Sequence, residues 1–387
     1  MLGIVQEQHP DRCQLFAQWH KLDWPILWDP INVLESAAVP IVVAIDEHGI
    51  VRAVSPRPES FERDFLNRQF DDDPPNRAAG AKRPGRKTIG ASRLDVIELR
   101  RQADVEASAA SWRRLGDALI LWHGAGRVDD AIDAYRRALL VDPRDGNTLF
   151  RLGVSHRVRS ESDQSHAADF QAAIEFWEQA LATNPNQYIW RRRIQQFGPR
   201  LEKPYPFYDW VDEARRAIVE RGETPIELAV PPVGAELAQP ARSFAAATDQ
   251  AGSPDPDGKI IRDRDGLIEA EVTLVPSQLR PGGTARVHVA FRPNAALQAH
   301  WNNESEPLRL WVDVPPGWQV SERLLSTSPV DRPVSDEVRR LDFELQVPAD
   351  AGEGDAVSAY ALYYVCEGSN GTCQFLRKDF TVKVSGN

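Results

Sequence analysis

The sequence predicts a multidomain α+β protein, because three stretches of the chain follow three different hydrophobic patterns. Near the start, short apolar runs flank one helical segment. In the middle, one helical pattern occurs twice. From Leu267 onward, apolar and polar residues alternate with the period of β-strands. The 387 residues suffice for about two to four domains, and we divide them into regions 1–70, 71–91, 92–224, 225–265 and 266–387.

Composition and charge argue against nucleic-acid binding and membrane spanning. The net charge is −11, whereas a nucleic-acid-binding domain concentrates basic residues on one face. The densest basic stretch is residues 190–193, which we expect on a solvated or partner-facing helix surface. No apolar run reaches the ~18 residues of a membrane span. A basic segment followed by an apolar core and a cleavage site is also missing, so we recognise no signal peptide in this sequence.

Region 1–70 predicts a strand, a helix and a hairpin. Residues 2–6 form an apolar run that we expect to be a buried strand, and residues 10–22 have a helical pattern. Val39-Pro40 then leads into an apolar run at 41–45, which turns at 46–49 and returns at 50–54.

This order of strand, helix, X-Pro and hairpin resembles the second half of a thioredoxin-like or redoxin domain. The resemblance implies that the first strand and the helix with the redox cysteines would lie upstream of Met1. It also implies that Val39-Pro40 is a cis peptide bond whose backbone pairs with substrate, so Val39 and Pro40 are the predicted substrate-binding residues. The alternative is an inherited turn with no binding role.

Cys13 is a candidate reactive thiol that we expect to be inactive. A helix start and the adjacent Arg12 would lower its pKa. However, no second cysteine lies at CxxC spacing, so we expect neither disulfide-reductase nor peroxidase activity at this position.

Region 92–224 contains an internal helical repeat. A helix with Ala131, Tyr135 and Ala138 on one face ends at Asp142-Pro143. The same pattern returns as Ala173, Trp177 and Ala180, and ends at Asn184-Pro185. The pattern resembles tetratricopeptide repeats. Leu115-Gly116 and Leu152-Gly153 would then belong to the first helix of each repeat, and a helical stretch at 188–220 would cap the array.

The resemblance to helical repeats implies a concave face that binds a protein or peptide. We expect an extended segment with carboxylates, because arginine pairs with carboxylates and tryptophan provides buried area. The alternative is that several of these aromatic residues belong to the core. The predicted partner-binding residues are Trp112, Arg113, Trp122, Phe150, Arg151 and His156.

Region 71–91 is rich in proline, glycine and charged residues, and region 225–265 is rich in proline, glycine and alanine. We interpret both as flexible linkers. Region 266–387 contains the strand candidates, and several short strands at this spacing suggest an immunoglobulin-like β-sandwich. The candidates are residues 267–275, 284–291, 308–314, 340–347, 358–366 and 373–384.

The last two strand candidates carry the most specific chemical pattern. Asn370-Gly371 is a strong turn dipeptide, so Cys366 and Cys373 could face each other and form a disulfide. A late tyrosine-rich hairpin with two cysteines resembles the N-terminal domain of the thiol:disulfide interchange protein DsbD. The resemblance implies that Cys366 and Cys373 are catalytic and accept electrons from a thioredoxin-fold partner. The alternative is a structural disulfide or two unreactive thiols.

No metal or cofactor site is predicted. Residues 300–304 include His300 and Glu304, but a metal site needs three or more ligands, so we expect a surface loop. No phosphate-binding loop, dinucleotide motif or serine–histidine–aspartate order is present.

The leading hypothesis is a modular protein that takes part in thiol–disulfide exchange and docks partners through its repeat. The alternative is a non-catalytic scaffold with degenerate redox modules, so we leave enzymatic activity undecided. Exchange chemistry would favour an extracytoplasmic, periplasmic setting.

Overall fold

The structure is a computed structural model that describes residues 1–70, 95–244, 252–328, 330–368 and 371–383. It is a mixed α and β fold with three parts: a small N-terminal α/β unit, an array of antiparallel helices, and two antiparallel sheets that share a core. The predicted linker at 71–91 lies outside the described residues. No helix in the described ranges is long and apolar enough to cross a membrane.

The N-terminal unit contains the predicted strand, helix and hairpin in that order, and also a strand and a helix that were not predicted. β1 and β2 pair in parallel, and β3 and β4 form an antiparallel hairpin. Its elements are β1 (Gly3–Val5), α1 (Pro10–His20), β2 (Ile26–Trp28), β3 (Val43–Ile45), β4 (Val51–Val54) and α2 (Pro58–Phe61), which continues as a π-helical turn (Glu62–Leu66).

The expectation that β1 is buried is wrong. Leu2 and Ile4 are exposed, because β1 pairs with β2 alone among the described strands. The hairpin β3–β4 forms a separate two-stranded sheet, and Val43, Ile45 and Val54 are also exposed. The four strands therefore do not build one continuous sheet.

The middle region is helical, as predicted. Its helices are α3 (Val96–Glu106), α4 (Ala109–His123), α5 (Val128–Val141), α6 (Gly146–Ser160), α7 (Asp169–Thr183), α8 (Tyr188–Phe197) and α9 (Trp210–Glu220). α5 and α7 end directly before Asp142-Pro143 and Asn184-Pro185, because proline cannot donate the next helical hydrogen bond. The six small and aromatic residues of the repeated pattern are all buried.

Two glycines set the close approach within the helix pairs α4–α5 and α6–α7. A Cβ at Gly116 would lie 2.6 Å from the ring of Tyr135, and a Cβ at Gly153 would lie 2.5 Å from the ring of Trp177. Each aromatic residue of the repeated pattern therefore packs directly on the glycine of the preceding helix.

The last two helices serve different parts of the molecule. Phe197 on α8 packs into the core of the helical array. α9 instead packs on α1, where Leu15, Val211 and Ile218 form a separate small core. The prediction that residues 188–220 cap the array therefore holds for α8 alone.

The predicted flexible linker at 225–265 is packed where the structure describes it. Leu228 lies in the small core, and Ala235 N donates to Gly198 O at 3.2 Å. Further along, Asp255 accepts from Arg377 at 2.8 Å and Asp263 accepts from the Tyr363 hydroxyl at 2.9 Å. These contacts bind the segment to the helices and to the sheets, because its buried carboxylates require partners.

The C-terminal region forms two antiparallel sheets from all six predicted strands and several short additional strands. In chain order they are β5 (Ile268–Val275), β6 (Thr284–Pro293), β7 (Ala299–Asn302), β8 (Arg309–Asp313), β9 (Gln319–Val320), β10 (Leu324–Ser326), β11 (Val334–Ser335), β12 (Arg339–Gln346), β13 (Ala356–Glu367) and β14 (Cys373–Lys383). One sheet has the order β5-β6-β12-β9. In the other, β13 pairs with β8, β7 and β14.

Polar contacts attach the first sheet to the helical array. Leu274 N donates to Gln171 at 3.0 Å, and Ser277 N donates to Glu178 at 2.9 Å. His288 Nε2 donates to the carbonyl of Phe197 at 2.8 Å. α7, α8 and the strands β5 and β6 therefore form one continuous interface.

Candidate functional site

The two hairpin cysteines are joined, as predicted, in a disulfide between β13 and β14. Cys366 and Cys373 are direct register partners with Cα atoms 4.0 Å apart. Asn370 of the predicted turn lies outside the described residues. Cys366 also pairs with His300 on β7 and is only 3% exposed, whereas Cys373 is exposed on a strand whose sole strand partner in the described structure is β13. One half of the disulfide is thus covered and the other is accessible.

Val39-Pro40 is a cis peptide bond, as the resemblance implied. Both residues are exposed. Val39 lines a small cleft together with Gln6 and Glu7 of the N-terminal unit and with Tyr188 and Arg192 of α8. The surroundings of Val39 therefore come from both the N-terminal unit and the helical array. Its predicted role in substrate binding stays a prediction.

Cys13 lies in the first turn of α1, but its environment disfavours the thiolate. Burial raises the pKa of Cys13 to about 12, and the negative charges of Glu7 and Asp11 act in the same direction. The expected net lowering of this pKa is wrong: the charge of Arg12, which is engaged by Glu236 at 2.6 Å, does lower the pKa of Cys13, but burial outweighs it. A thiol with a raised pKa is a poor nucleophile near neutral pH.

The predicted partner-binding residues do not form an open face. Trp112, Phe150, Arg151 and His156 are buried, and Arg113 is half-buried. Trp122 alone among the six is exposed, at 47%. The alternative interpretation is correct for Trp112 and Phe150, which belong to the core of the helical array.

A segment of the same chain, residues 29–37, covers part of this face. Arg151 donates to the carbonyls of Ile31 and Asn32 at 3.3 and 3.4 Å. Its guanidinium also lies 3.3 Å from the Glu35 carboxylate, and that of Arg113 lies 3.9 Å from it. The predicted pairing of a carboxylate with Arg113 and Arg151 is thus made within the chain itself, although the segment that supplies it is a series of turns and not the expected extended backbone.

His156 has a partner within the array. Its Nδ1 is 2.9 Å from Asp169, and Asp169 also binds Arg159 at 2.6 Å. This buried ion-pair cluster joins α6 to the start of α7, which explains why His156 is turned away from solvent.

A buried charged cluster, not predicted from the sequence, lies between the N-terminal unit and α8. Glu7 accepts hydrogen bonds from the Tyr208 hydroxyl and from Gln196 at 3.5 Å. Although burial opposes ionisation, contact with His9, Arg12 and the nearby Arg193 holds the pKa of Glu7 well below its usual range. In the sequence, this cluster is indicated by the polar residues 6–9, which directly follow an apolar strand.

Two buried arginines show how this cluster connects distant segments. Arg12 donates to Glu236 at 2.6 Å and to Val230 O at 3.2 Å. Arg193 donates to Gln8 at 3.3 Å and to Pro30 O at 3.5 Å. The expectation of a solvated helix surface at 190–193 is therefore wrong for Trp190 and Arg193, both of which are buried.

The polar cluster at 300–304 is part of a strand. His300 lies in β7, and Trp301 is fully buried with its Nε1 donating to Glu337 O at 2.8 Å. The expected surface loop is confined to the residues after Asn302. Across the described ranges, no group of three or more histidine, cysteine, aspartate or glutamate side chains is placed to hold a metal ion.

Comparisons with known proteins identify no relative by sequence. No model of a known protein family matches the chain, and no curated protein matches it. Among solved structures, the sporulation control protein Spo0M from Bacillus subtilis aligns with 13% identity and a TM-score of 0.16, over 32% of this chain and 51% of Spo0M. BslA, a bacterial hydrophobin, aligns with 12% identity and a TM-score of 0.16, over 32% of this chain and 98% of BslA.

Proposed function

We propose that this protein takes part in thiol–disulfide exchange through the Cys366–Cys373 disulfide. The observation that carries the proposal is the unequal exposure of the two cysteines. Cys373 lies exposed on the last strand, whereas Cys366 is covered between β14 and β7. An incoming thiolate can therefore reach one sulfur and leave the other as the departing group.

The electron donor for this exchange is a protein with two thiols, and with such a donor the atoms and electrons balance. A thiolate of the donor attacks Cys373 Sγ, the Cys366–Cys373 bond breaks, and Cys366 leaves as a thiolate that takes up a proton. The second thiol of the donor then attacks the mixed disulfide and releases Cys373. Two electrons pass from the donor, which becomes a disulfide, to this hairpin. Cys13 takes no part in these reaction steps, because burial raises the pKa of its thiol.

A trapping experiment tests this proposal. The probe is a reduced CxxC-containing thioredoxin whose second cysteine is replaced by serine, so that the mixed disulfide persists. We expect a mixed disulfide at Cys373 of the oxidised protein, located by mass spectrometry of non-reduced peptides. The disulfide is structural if unmodified thioredoxin reduces it no faster than glutathione does and if no mixed disulfide is trapped.

A matched pair of variants supplies the control. Cys366→Ser leaves the exposed cysteine, and Cys373→Ser leaves the buried one. We expect Cys366→Ser to react with an aromatic disulfide reagent roughly tenfold faster than Cys373→Ser, because access limits the attack. Equal rates would contradict the assigned order of attack.

A second function, a non-catalytic scaffold, is favoured by a different observation. Residues 29–37 lie on the helical array, where Arg151 binds Ile31 O, and Tyr188 N donates to Ala37 O at 3.1 Å. We propose that the array holds the N-terminal unit in place through this segment rather than capturing a foreign peptide.

Charge reversal at Glu35 tests the scaffold function. We expect Glu35→Arg to raise amide hydrogen exchange in residues 29–38, because it places like charges beside Arg113 and Arg151. Exchange in α5 and α7 should stay unchanged. Glu59→Arg, at an exposed position in α2, is the control. Unchanged exchange in residues 29–38 would show that Glu35 does not hold the segment.

A further inference from the structure

A cavity of about 120 Å³ lies between the helical array and the first sheet. Its walls come from α6, α7 and α8, from residues 230–233, and from β5, β6 and β12. Small-molecule sites often occur at interfaces between the parts of a protein. None of the residues proposed for thiol–disulfide exchange lines it.

The sheet contributes a polar floor to this cavity. Glu271 on β5, Ala290 on β6 and Arg340 on β12 are register partners across the three strands. The next row on the same face consists of Thr273, His288 and Asp342. Because side chains two residues apart point to the same face of a strand, both rows face the helices. Ala290 leaves space in the middle of the first row.

Positive charge exceeds negative charge around the cavity. Arg157, Arg292 and Arg340 line it, against the carboxylates of Glu271 and Asp342. Asp342 is engaged by Arg286. Glu271 Oε1 has no hydrogen-bond partner in the described structure, and burial raises the pKa of Glu271. The charge of the residues that line the cavity therefore favours binding of an anion over a cation.

Arg157 combines a buried guanidinium with an aromatic wall. Arg157 is 4% exposed, and its guanidinium lies 3.8 Å from the ring centroid of Phe170 and 4.8 Å from that of Phe197. Glu161 neutralises one edge at 2.6 Å. Among the described residues, nothing accepts a hydrogen bond from Arg157 Nε. The remaining wall includes Val230 and Val233 and is apolar.

We propose that this cavity binds a small carboxylate with an apolar body. Its carboxylate would bind Arg340 and Arg292 at the sheet, and its apolar part would lie against Phe170, Phe197 and Val233. Arginine suits this role because its planar N–H donors match a carboxylate. Since the walls come from both the array and the sheet, a bound ligand would contact the two parts at once.

Octanoate is the probe, and binding to the full-length protein is measured by isothermal titration calorimetry. We expect saturable binding of octanoate and at least about tenfold weaker binding of octan-1-ol, which lacks the charge, and of acetate, which lacks the apolar body. Acetate binding as tight as octanoate, or the absence of saturable octanoate binding, would overturn the proposal.

Two variants assign the binding to this cavity. We expect Arg340→Gln to weaken octanoate binding about tenfold, because it removes a charge-assisted contact. Ala290→Phe should abolish binding because its side chain fills the floor. Arg264→Gln, at an exposed position of the same region outside the cavity, should bind like the wild type. Arg340 lies at an exposed position. If Arg340→Gln binds octanoate as tightly as the wild type does, the proposed site is refuted.

Discussion

At the residue scale, the helical array depends on glycines that meet aromatic rings. Gly153 has no room for a side chain, because a Cβ would lie 2.5 Å from Trp177. We therefore expect Gly153→Ala to lower the free energy of unfolding by about 1–3 kcal/mol through overpacking. Gly126→Ala is the control, because nothing lies within 4 Å of the added Cβ. Urea unfolding followed by tryptophan fluorescence measures both, and equal stability of the two variants would contradict the packing argument.

A second prediction at this scale concerns pH. Burial alone would lower the pKa of His9, but the Glu161 carboxylate at 3.0 Å outweighs it and raises this pKa above 6.5. A raised pKa in the folded state means that protonated His9 stabilises the fold. The contribution is complete below about pH 6.5 and is lost as the pH rises through the raised value.

Melting temperatures measured across this pH range check the linkage. We expect His9→Gln to remove part of the loss of stability above pH 6.5, and His123→Gln, at an exposed position, to keep the wild-type profile. Superimposable pH profiles of His9→Gln and the wild type would exclude His9 as the titrating group.

At the element scale, the β13–β14 hairpin is closed by its disulfide. The cysteines are seven residues apart, and a loop of this size corresponds to about 2.5 kcal/mol in the chain-entropy account. We expect the Cys366→Ser/Cys373→Ser double variant to lose about that much stability, measured by urea unfolding. Adding a reductant should lower the stability of the wild type to that of the double variant. The same reductant should not change the variant, and a shift in the variant would point to another cause.

The repeated helical pattern predicted α5 and α7 but not the packing of α9. Proline positions and the spacing of alanines and aromatics predicted the helices α5 and α7 and their buried faces, because both depend on local geometry. The role of α9 could not be predicted in the same way. Its apolar face matches α1, which lies far away in the sequence.

At the scale of the whole molecule, a buried ion pair connects distant segments. Arg12 on α1 binds Glu236, which is fully buried, and its next carboxylate, that of Glu7, is more distant at 3.9 Å. Removing Glu236 therefore leaves the buried charge of Arg12 only partly compensated. We expect Glu236→Ala to lower the free energy of unfolding by about 3–5 kcal/mol. Glu223→Ala, which removes an exposed ion pair with Arg221, should change it by less than about 1 kcal/mol. Comparable losses in thermal or urea unfolding would mean that the Arg12–Glu236 pair does not contribute as a buried pair.

The sequence by itself indicated the strand, helix and hairpin of the N-terminal unit, the helices α5 and α7 with the repeated pattern, six of the C-terminal strands and the pairing of Cys366 with Cys373. Each of these depends on periodicity, turn residues or short separations, which are local properties. The tertiary structure alone decided which polar residues are buried. Arg151, Arg193 and Glu236 have the composition of surface residues, but each meets a partner more than 100 positions away. Hydrogen bonds and ion pairs over such separations leave no local pattern, so burial of these residues follows from the fold and not from their neighbours in sequence.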